Sequence, residues 1–211
     1  MRELIYLPEY TILGGVDRMG CRVVGCVLAV LIVLGCSVSA VPSAGYFDGA
    51  FDPFSAPHWE SGVVTISISG QFTSRDEEVL RDIIEDFNYY CIPVDLQFHP
   101  FGGNPDIKVF MLPKDEIERE MGPNIAGYCL VIWDSSNHIT SATCFVSNDI
   151  PAYERNIMYH EILHGMGFLY HSNLTSSIMY RMCYSNELSA DDIDVMQSIY
   201  GFWQLEEFGG Y

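Results

Sequence analysis

The stretch HEILHGMGFLYH, at residues 160–171, contains the residue types that could do chemistry. His160 and His164 are four residues apart, so on a helix they share one face and both imidazoles can reach one metal ion. Glu161 stands between them, where its carboxylate can act as general base toward a metal-bound water. The pattern predicts part of a hydrolytic zinc site. Catalytic zinc takes three protein ligands and a water, so a third ligand is needed.

His171 is the next histidine along the chain, and a continuous helix cannot bring it to the ion. At ~1.5 Å per residue it would lie roughly 10 Å beyond His164. Gly165 and Gly167 offer a solution, because glycine at a helix end accepts left-handed dihedrals and lets the chain turn back sharply. The stretch HGMG therefore favours leaving the helix over prolonging it.

The elements that must position these residues follow from hydrophobic periodicity. Apolar alternation predicts strands, and apolar stripes at helical spacing predict helices. The expected strands are 63–70, 94–98, 106–112 and the two halves of a hairpin at 127–147, and the expected helices are 75–90, 114–121, 151–166 and 189–201. This order predicts an α/β (α+β) fold with a twisted, mixed, five-stranded sheet, an active-site helix and a C-terminal helix.

Capping residues predict where the helices begin. Ser74 and Glu77 form a capping box for the first helix. Asn148 or Asp149 can cap the helix that carries the histidines. The last helix is expected to start at Ser189 with Asp192 as its capping partner, and Gly201 is expected to end it.

Length and composition fit one domain with an N-terminal extension. The 211 residues are 49% hydrophobic, which is enough for a core. The net charge of -18 and only ten Lys and Arg argue against nucleic acid as a partner. Calcium is compatible with this acidity, but no loop has a convincing ligand pattern. The expected divisions are a targeting segment (1–40), a linker (41–58), a catalytic domain (59–203) and a tail (204–211).

The first 40 residues have the order of a targeting segment. Arg18 and Arg22 precede a run without charge at 23–44, as in a signal peptide, so we expect an exported protein. Three outcomes remain open. The sequence VSA at 38–40 is a small-residue cleavage signal, VLGC makes Cys36 a candidate lipidated cysteine, and about 20 apolar residues can also span a bilayer uncleaved.

Cysteines of an exported protein can pair. Folding the hairpin about residues 136–137 sets Cys129 opposite Cys144 and Trp133 opposite Thr140, and facing cysteines can form a disulfide. The remaining cysteines of the domain, paired on arithmetic alone, are Cys91 and Cys183.

The stretch HEILHGMGFLYHS resembles the metzincin zinc signature H-E-x-x-H-x-x-G-x-x-H. Beyond it, SIMY at 177–180 resembles the Met-turn of the matrixin branch, and LSADDIDVMQSIYG at 188–201 resembles the matrixin C-terminal helix. The resemblance covers roughly residues 59 to 202. It implies that Met179 forms a hydrophobic floor beneath the metal. We expect Tyr180 to be a packing residue and not a ligand.

The chain departs from that family pattern in two places. Tyr170 stands where the third histidine usually stands, because the loop after Gly167 has one extra residue. The interval from His171 to Met179 matches the family spacing, which assigns His171 as the third ligand. Arg181 stands where matrixins usually have proline, so the wall of the pocket for the residue after the cleaved bond is expected to differ.

The resemblance implies a zinc-dependent endopeptidase with one catalytic zinc. It would hydrolyse peptide bonds of extracellular proteins or peptides through a zinc-bound water activated by Glu161. The strand around 129–133 would be the edge strand that holds an extended peptide by main-chain hydrogen bonds. We expect a secreted or membrane-anchored monomer that meets the membrane only through its N-terminal segment.

Two rival interpretations remain open. ELSAD loosely resembles the E-x-x-x-D motif of thermolysin-like and aminopeptidase zincins, which would make Glu187 the third ligand. Glu187, however, stands just before a capped helix rather than inside one. The other rival is a non-catalytic cell-surface binding protein on a degenerate metzincin fold. In that interpretation, Tyr170 in place of the usual histidine indicates a lost metal site. The intact Glu161 argues against it.

Overall fold

The computed structural model describes residues 56–90, 92–100 and 103–208, with the backbone alone for 202–208 and for the short segment 32–37. Its elements in chain order are β1 (Ile32–Ser37), β2 (Val63–Gly70), α1 (Ser74–Tyr89), β3 (Asp95–Phe98), β4 (Ile107–Leu112), α2 (Lys114–Met121), β5 (Ile125–Trp133), β6 (Ile139–Ser147), α3 (Glu154–Gly165) and α4 (Ala190–Phe208). Among these, no helix is both long and apolar enough to cross a bilayer.

The predicted five-stranded mixed sheet is confirmed. Strands β2 to β6 lie in the order β5-β6-β4-β2-β3, and all are parallel except β5, which runs antiparallel to β6. A sixth strand, β1, pairs antiparallel with the outer edge of β5, with Cys36 opposite Gly127. This strand belongs to the segment expected to be a targeting signal. The rest of 1–40 and most of the expected linker lie outside the described residues.

Helix α1 packs against the sheet through the apolar face that its sequence predicts. Leu80, Ile83 and Phe87 are fully buried there. The capping box lies one residue earlier than predicted, since Thr73 and Asp76 bond each other reciprocally. The Ser74 and Glu77 prediction is therefore wrong by one position. Ser74 and Thr73 can both cap, and only the backbone conformation selects between them.

Helix α3 begins at Glu154, three residues later than predicted, because its expected caps bind elsewhere. The Asn148 side chain donates to the Gln71 carbonyl at 3.0 Å. The Asp149 carboxylate accepts the Lys114 backbone N–H at 2.8 Å, at the start of α2. Both side chains thus tie this loop to other elements instead of starting the helix.

Helix α4 begins as predicted and ends later. Ser189 and Asp192 bond each other reciprocally in a capping box. The helix passes through Gly201 and continues to Phe208, into the residues expected to form a tail. A single glycine costs a helix only about 1 kcal/mol, so it need not end it.

The hairpin register is confirmed at its centre and corrected near its turn. Cys129 lies opposite Cys144, as predicted. Trp133 faces Ile139 instead of Thr140, because the register shifts between Ile132 and Trp133. A β-bulge of this kind adds a residue to one strand and is not visible in apolar alternation.

The predicted disulfide between Cys129 and Cys144 is not formed. Both thiols are free and fully buried. Their sulfur atoms are 3.3 Å apart, well beyond the ~2.05 Å of a disulfide bond. Cys183 is disulfide-bonded, but Cys91 lies outside the described residues, so their pairing stays a prediction.

Candidate active site

Helix α3 carries the candidate catalytic residues inside the protein. Every residue from Asn156 to Gly165 is buried, because the helix packs on β5 and β6 on one side and under the following loops on the other. His160, Glu161 and His164 are all fully buried. The two histidines and Glu161 are therefore held inside the protein, where burial disfavours their charged forms.

The imidazole rings of His160 and His164 each point one nitrogen atom toward the other ring. Their Nε2 atoms lie 3.0 Å apart. The Nδ1 of His160 is 2.8 Å from the Ile178 carbonyl oxygen, and the Nδ1 of His164 is 2.6 Å from that of Phe168. A carbonyl oxygen only accepts, so each Nδ1 bears the proton and each Nε2 presents a lone pair. Two lone pairs at this distance repel each other unless a cation lies between them.

His171 completes this cluster. Its ring centroid is 5.1 Å from that of His160 and 5.0 Å from that of His164. Its buried Nε2 has no hydrogen-bond partner among the described residues. One nitrogen from each of the three rings lies within 4.8 Å of the others, and no second group of this kind occurs in the part of the chain that the structure describes. Three imidazole nitrogens grouped in this way fit the ligand set of catalytic zinc.

Gly167 brings His171 back to the cluster. Its φ of 95° lies in the left-handed region. A Cβ on this residue would stand 2.0 Å from the Pro57 carbonyl oxygen, so only glycine fits. Gly165, also predicted to turn the chain, is still helical. A Cβ on Gly165 would lie 3.3 Å from the Cβ of Ala142, so its role is close packing on the sheet.

The loop after Gly167 accommodates its extra residue by burying apolar side chains. Phe168 and Leu169 are buried, and Tyr170 is half-buried against the core beside His171. The chain then runs beside the Met-turn, where the Ser172 N–H donates to the Met179 carbonyl at 2.8 Å. The one-residue insertion is thus absorbed before the histidine.

Asp192 of α4 holds the Met-turn in place. Its carboxylate accepts the Ile178 N–H at 3.0 Å and the Ser177 hydroxyl. The Ile178 carbonyl in turn accepts the Nδ1–H of His160. Met179 is fully buried, while Tyr180 is half-buried. The sequence predicted Asp192 only as a helix cap, and no local pattern indicates its bonds to residues fourteen and fifteen positions earlier.

Burial determines the protonation state of the three histidines. It lowers the pKa of His160 to about 4, although the Ile178 carbonyl and Asp192 oppose the shift. Burial also moves the pKa of His164 and of His171 well below the usual 6.5, and neighbouring histidines add to the effect. The three rings are therefore neutral near pH 7, the form that binds metal.

Glu161 lies beside the histidines with its carboxylate unused by the protein. Neither carboxylate oxygen has a hydrogen-bond partner among the described residues. Burial, and then the nearby Cys144, raise its pKa well above the usual 4.5. The β5 backbone approaches it closely, since a Cβ on Gly127 would lie 2.9 Å from its Oε1. Sequence reasoning missed Gly127, which has no motif around it.

The other candidate ligands lie outside the cluster. Glu187 is exposed, and its charge acts on Tyr90 instead of on a metal-site histidine. His58 and His138 pack edge to face with ring centroids 5.3 Å apart. His99 lies next to the Pro100 carbonyl. None of these belongs to the group that could hold a metal ion.

Comparison with known proteins identifies the family. The family model described as Matrixin matches residues 58–201. The chain belongs to the matrixin family. The solved structure of Myroilysin is similar to this matrixin at 14% sequence identity and a TM-score of 0.44, covering 75% of this chain and 89% of that chain. A search of curated proteins found no match.

Proposed function

We propose that this matrixin is a zinc-dependent endopeptidase that acts on extracellular proteins or peptides. His160, His164 and His171 would hold one zinc ion, and Glu161 would be the general base. The observation that carries the proposal is the 3.0 Å approach of two Nε2 lone pairs whose rings donate their other N–H to carbonyls. Such an arrangement is stable with a cation and strained without one.

Bound zinc would supply Lewis acidity toward the carbonyl oxygen of the scissile bond. Glu161 would take a proton from the attacking water, whose oxygen bonds to the carbonyl carbon. The same carboxyl group would then return that proton to the amine as the C–N bond breaks. A buried carboxylate with no hydrogen-bond partner among the described residues and a raised pKa suits this exchange, because burial makes it a stronger base toward the proton of the water.

The outer edge of β5 favours an extended peptide as the substrate. Its main chain already pairs with an extended segment, β1, in antiparallel register beside Gly127. A substrate peptide in the place of β1 would make the same ladder of backbone hydrogen bonds. Gly127 would leave room for its carbonyl next to Glu161.

Hydrolysis and zinc content, measured together, test the proposal. The wild type should hold one zinc per chain and cleave unstructured peptides. Glu161→Gln should keep the zinc and lose about 10²- to 10⁴-fold in kcat, the range for a general base. Glu187→Gln, at an exposed position, is the matched control and should change neither. Wild-type protein that contains no zinc would contradict the metal-site assignment. Full activity of Glu161→Gln would contradict the role of Glu161 as general base.

Localisation and assembly are part of the same proposal. The uncharged run at 23–44, preceded by Arg18 and Arg22, supports export. The disulfide at Cys183 supports an oxidising compartment, where such bonds persist. We propose a monomer, released or anchored through its N-terminal segment.

A further inference from the structure

The chain leaves α3 through a Schellman motif, the turn that directs it toward His171. The Phe168 N–H donates to the Leu163 carbonyl and the Gly167 N–H donates to the His164 carbonyl, both at 3.0 Å. Gly167 has the left-handed φ that this motif requires. The motif therefore satisfies two of the carbonyls that the end of a helix leaves without helical partners.

The next two carbonyls accept hydrogen bonds from side chains that are distant in the sequence. The Trp59 indole N–H donates to the Gly165 carbonyl at 3.0 Å, and the Tyr200 hydroxyl donates to the Met166 carbonyl at 2.8 Å. Both side chains are buried in the main core. A buried carbonyl without a partner is unfavourable, so these two bonds hold the turn after α3 in one position.

Trp59 and Tyr200 are also linked to each other. Burial raises the pKa of Tyr200, and a hydrogen bond from the Trp59 backbone opposes this rise. The Tyr200 hydroxyl thus accepts a hydrogen bond from Trp59 while it donates one to Met166. One connected network therefore joins the beginning of the domain, helix α4 and the turn after α3.

The segment that precedes β2 is itself fixed to the sheet. The His58 N–H donates to the Asn137 carbonyl at 2.9 Å, and the Ile139 N–H donates to the His58 carbonyl at 2.7 Å. One residue earlier, the Pro57 carbonyl packs against Gly167, where a Cβ would lie 2.0 Å from its oxygen. The turn after α3 thus packs on a support that backbone hydrogen bonds hold in place.

The turn determines the positions of two candidate metal ligands. Its Phe168 carbonyl accepts the Nδ1–H of His164 at 2.6 Å and so fixes the orientation of that ring. Three residues further along, the chain has returned to the cluster with His171, whose ring centroid lies 5.0 Å from that of His164. A shift of the turn would therefore move both ligands.

We propose that Tyr200 and Trp59 are positioning residues of the metal site, which act on His164 and His171 through the turn after α3. The inference rests on the proposed function only in assigning zinc to these histidines, because its readout is metal binding and not hydrolysis. Groups that orient a metal ligand change metal affinity by roughly 10- to 100-fold when they are removed. Tyr200 and Trp59 act one step further from the ion, so we expect an effect at the lower end, about tenfold.

The test measures the affinity of the full-length protein for cobalt(II), whose visible absorption depends on ligand geometry, and for zinc by competition. Tyr200→Phe removes only the hydroxyl and should bind both metals about tenfold more weakly, with a changed cobalt spectrum. Trp59→Phe removes the indole N–H and should have the same effect. Ser198→Ala removes another α4 hydroxyl, which donates to the Asp194 carbonyl at 2.7 Å, and should match wild type in both measurements.

Amide hydrogen exchange separates this role from a general loss of stability. Tyr200→Phe and Trp59→Phe should speed exchange at Gly167 and Phe168 and leave it unchanged at Val109 in β4. Equal acceleration at Val109 would show a merely structural role and would overturn the proposal. Metal affinities and cobalt spectra that equal those of wild type in both variants would overturn it as well.

Peptide hydrolysis, measured on the same proteins, distinguishes this proposal from the proposed function. Wild type that binds both metals but cleaves no peptide would defeat the peptidase function and leave the positioning role standing. Cleavage by wild type, with unchanged metal affinity in both variants, would defeat the positioning role alone. Wild type that binds neither metal would defeat both.

Discussion

The Nε2 atoms of His160 and His164 lie 3.0 Å apart while each ring donates its other N–H to a backbone carbonyl. Two tetrahedral zinc ligands at ~2.0–2.1 Å from the ion are separated by about 3.3 Å. The protein therefore builds the ligand spacing from its own packing, with Ile178 and Phe168 fixing the ring orientations. Little rearrangement is needed for metal to bind.

Removing the metal should lower the stability of the folded protein. Zinc bound to the folded cluster would add about 2.7 kcal/mol to the free energy of unfolding when free zinc is at 100 times its Kd. A chelator should therefore lower Tm in calorimetry, and His171→Ala should abolish the chelator effect. His99→Ala, away from the cluster, should respond like wild type. An equal chelator shift in His171→Ala would mean that this histidine is not a ligand.

Asp192→Asn should weaken both the fold and the metal site. The carboxylate accepts bonds from the Met-turn and from Ser189, and an amide has only one accepting oxygen. We expect a loss of about 1–3 kcal/mol in denaturant unfolding and about tenfold weaker zinc affinity, because Ile178 supports His160. Asp191→Asn, at the exposed neighbouring position, should change neither quantity. A zinc affinity unchanged in Asp192→Asn would break the link between α4 and the metal site.

Gly127→Ala should impair activity more than folding. The added Cβ would stand 2.8 Å from Ile157 Cγ2 and 2.9 Å from Glu161 Oε1, so the carboxylate must move. Displacement of a catalytic group by about 1 Å can cost up to 10²-fold in rate. We expect a fall in kcat of at least roughly tenfold with zinc retained. Gly62→Ala, where a Cβ meets nothing within 4 Å, is the matched control. Equal rates for the two variants would count against the proposed position of Glu161.

Stability should depend on the protonation of Glu154. Burial, followed by the neighbouring Asp76, raises the Glu154 pKa from its ordinary 4.5 to about 7, while Arg75 opposes the shift. The folded state therefore binds a proton that the unfolded state releases above pH 4.5. Stability from this group is fully present below pH 4.5 and is lost as the pH rises to about 7.

Glu154→Gln, which mimics the protonated form, should match wild type near pH 4.5 and exceed it by about 1–3 kcal/mol at pH 8. Unfolding by denaturant across this range measures the difference. Glu78→Gln, exposed on α1, should stay parallel to wild type. A Glu154→Gln curve that also stays parallel would show that this carboxyl does not carry the proton.

Removing β1 should increase peptide hydrolysis. The edge of β5 that would hold a substrate is hydrogen-bonded to residues 32–37, so a peptide must compete with this strand. Protein that begins at residue 41 should show a higher kcat/KM than protein that retains 1–40. Leu34→Pro in the longer protein removes a backbone donor from β1 and should raise activity in the same direction. Equal activities in all three would show that β1 does not block the edge.

The sequence predicted best the features that depend on short-range spacing. His160, Glu161 and His164 follow from one helical turn, and Ser189 with Asp192 follows from one capping box. His171 required a glycine-permitted turn, and Gly167 makes it. Strands β4 and β6 were predictable because buried residues alternate with less buried ones along most of their length.

The features that the sequence could not reveal depend on contacts between distant segments. Asp149 is of a residue type that often caps helices, but its carboxylate accepts the Lys114 N–H at the start of α2 instead of capping α3. Gly127 matters only because Glu161 lies against it across the β5–α3 interface. Whether facing cysteines are bonded depends on sulfur positions within the hairpin, which strand register does not determine.

Trp59 lies at the beginning of the domain, yet its indole N–H donates to the carbonyl of Gly165 at 3.0 Å. Gly165 is the last residue of α3, two positions before the turn that returns the chain to His171. The indole is buried, so its fluorescence depends on how this loop packs around it. A change in this loop when the histidines take up a metal should therefore alter the emission of Trp59, with no added dye.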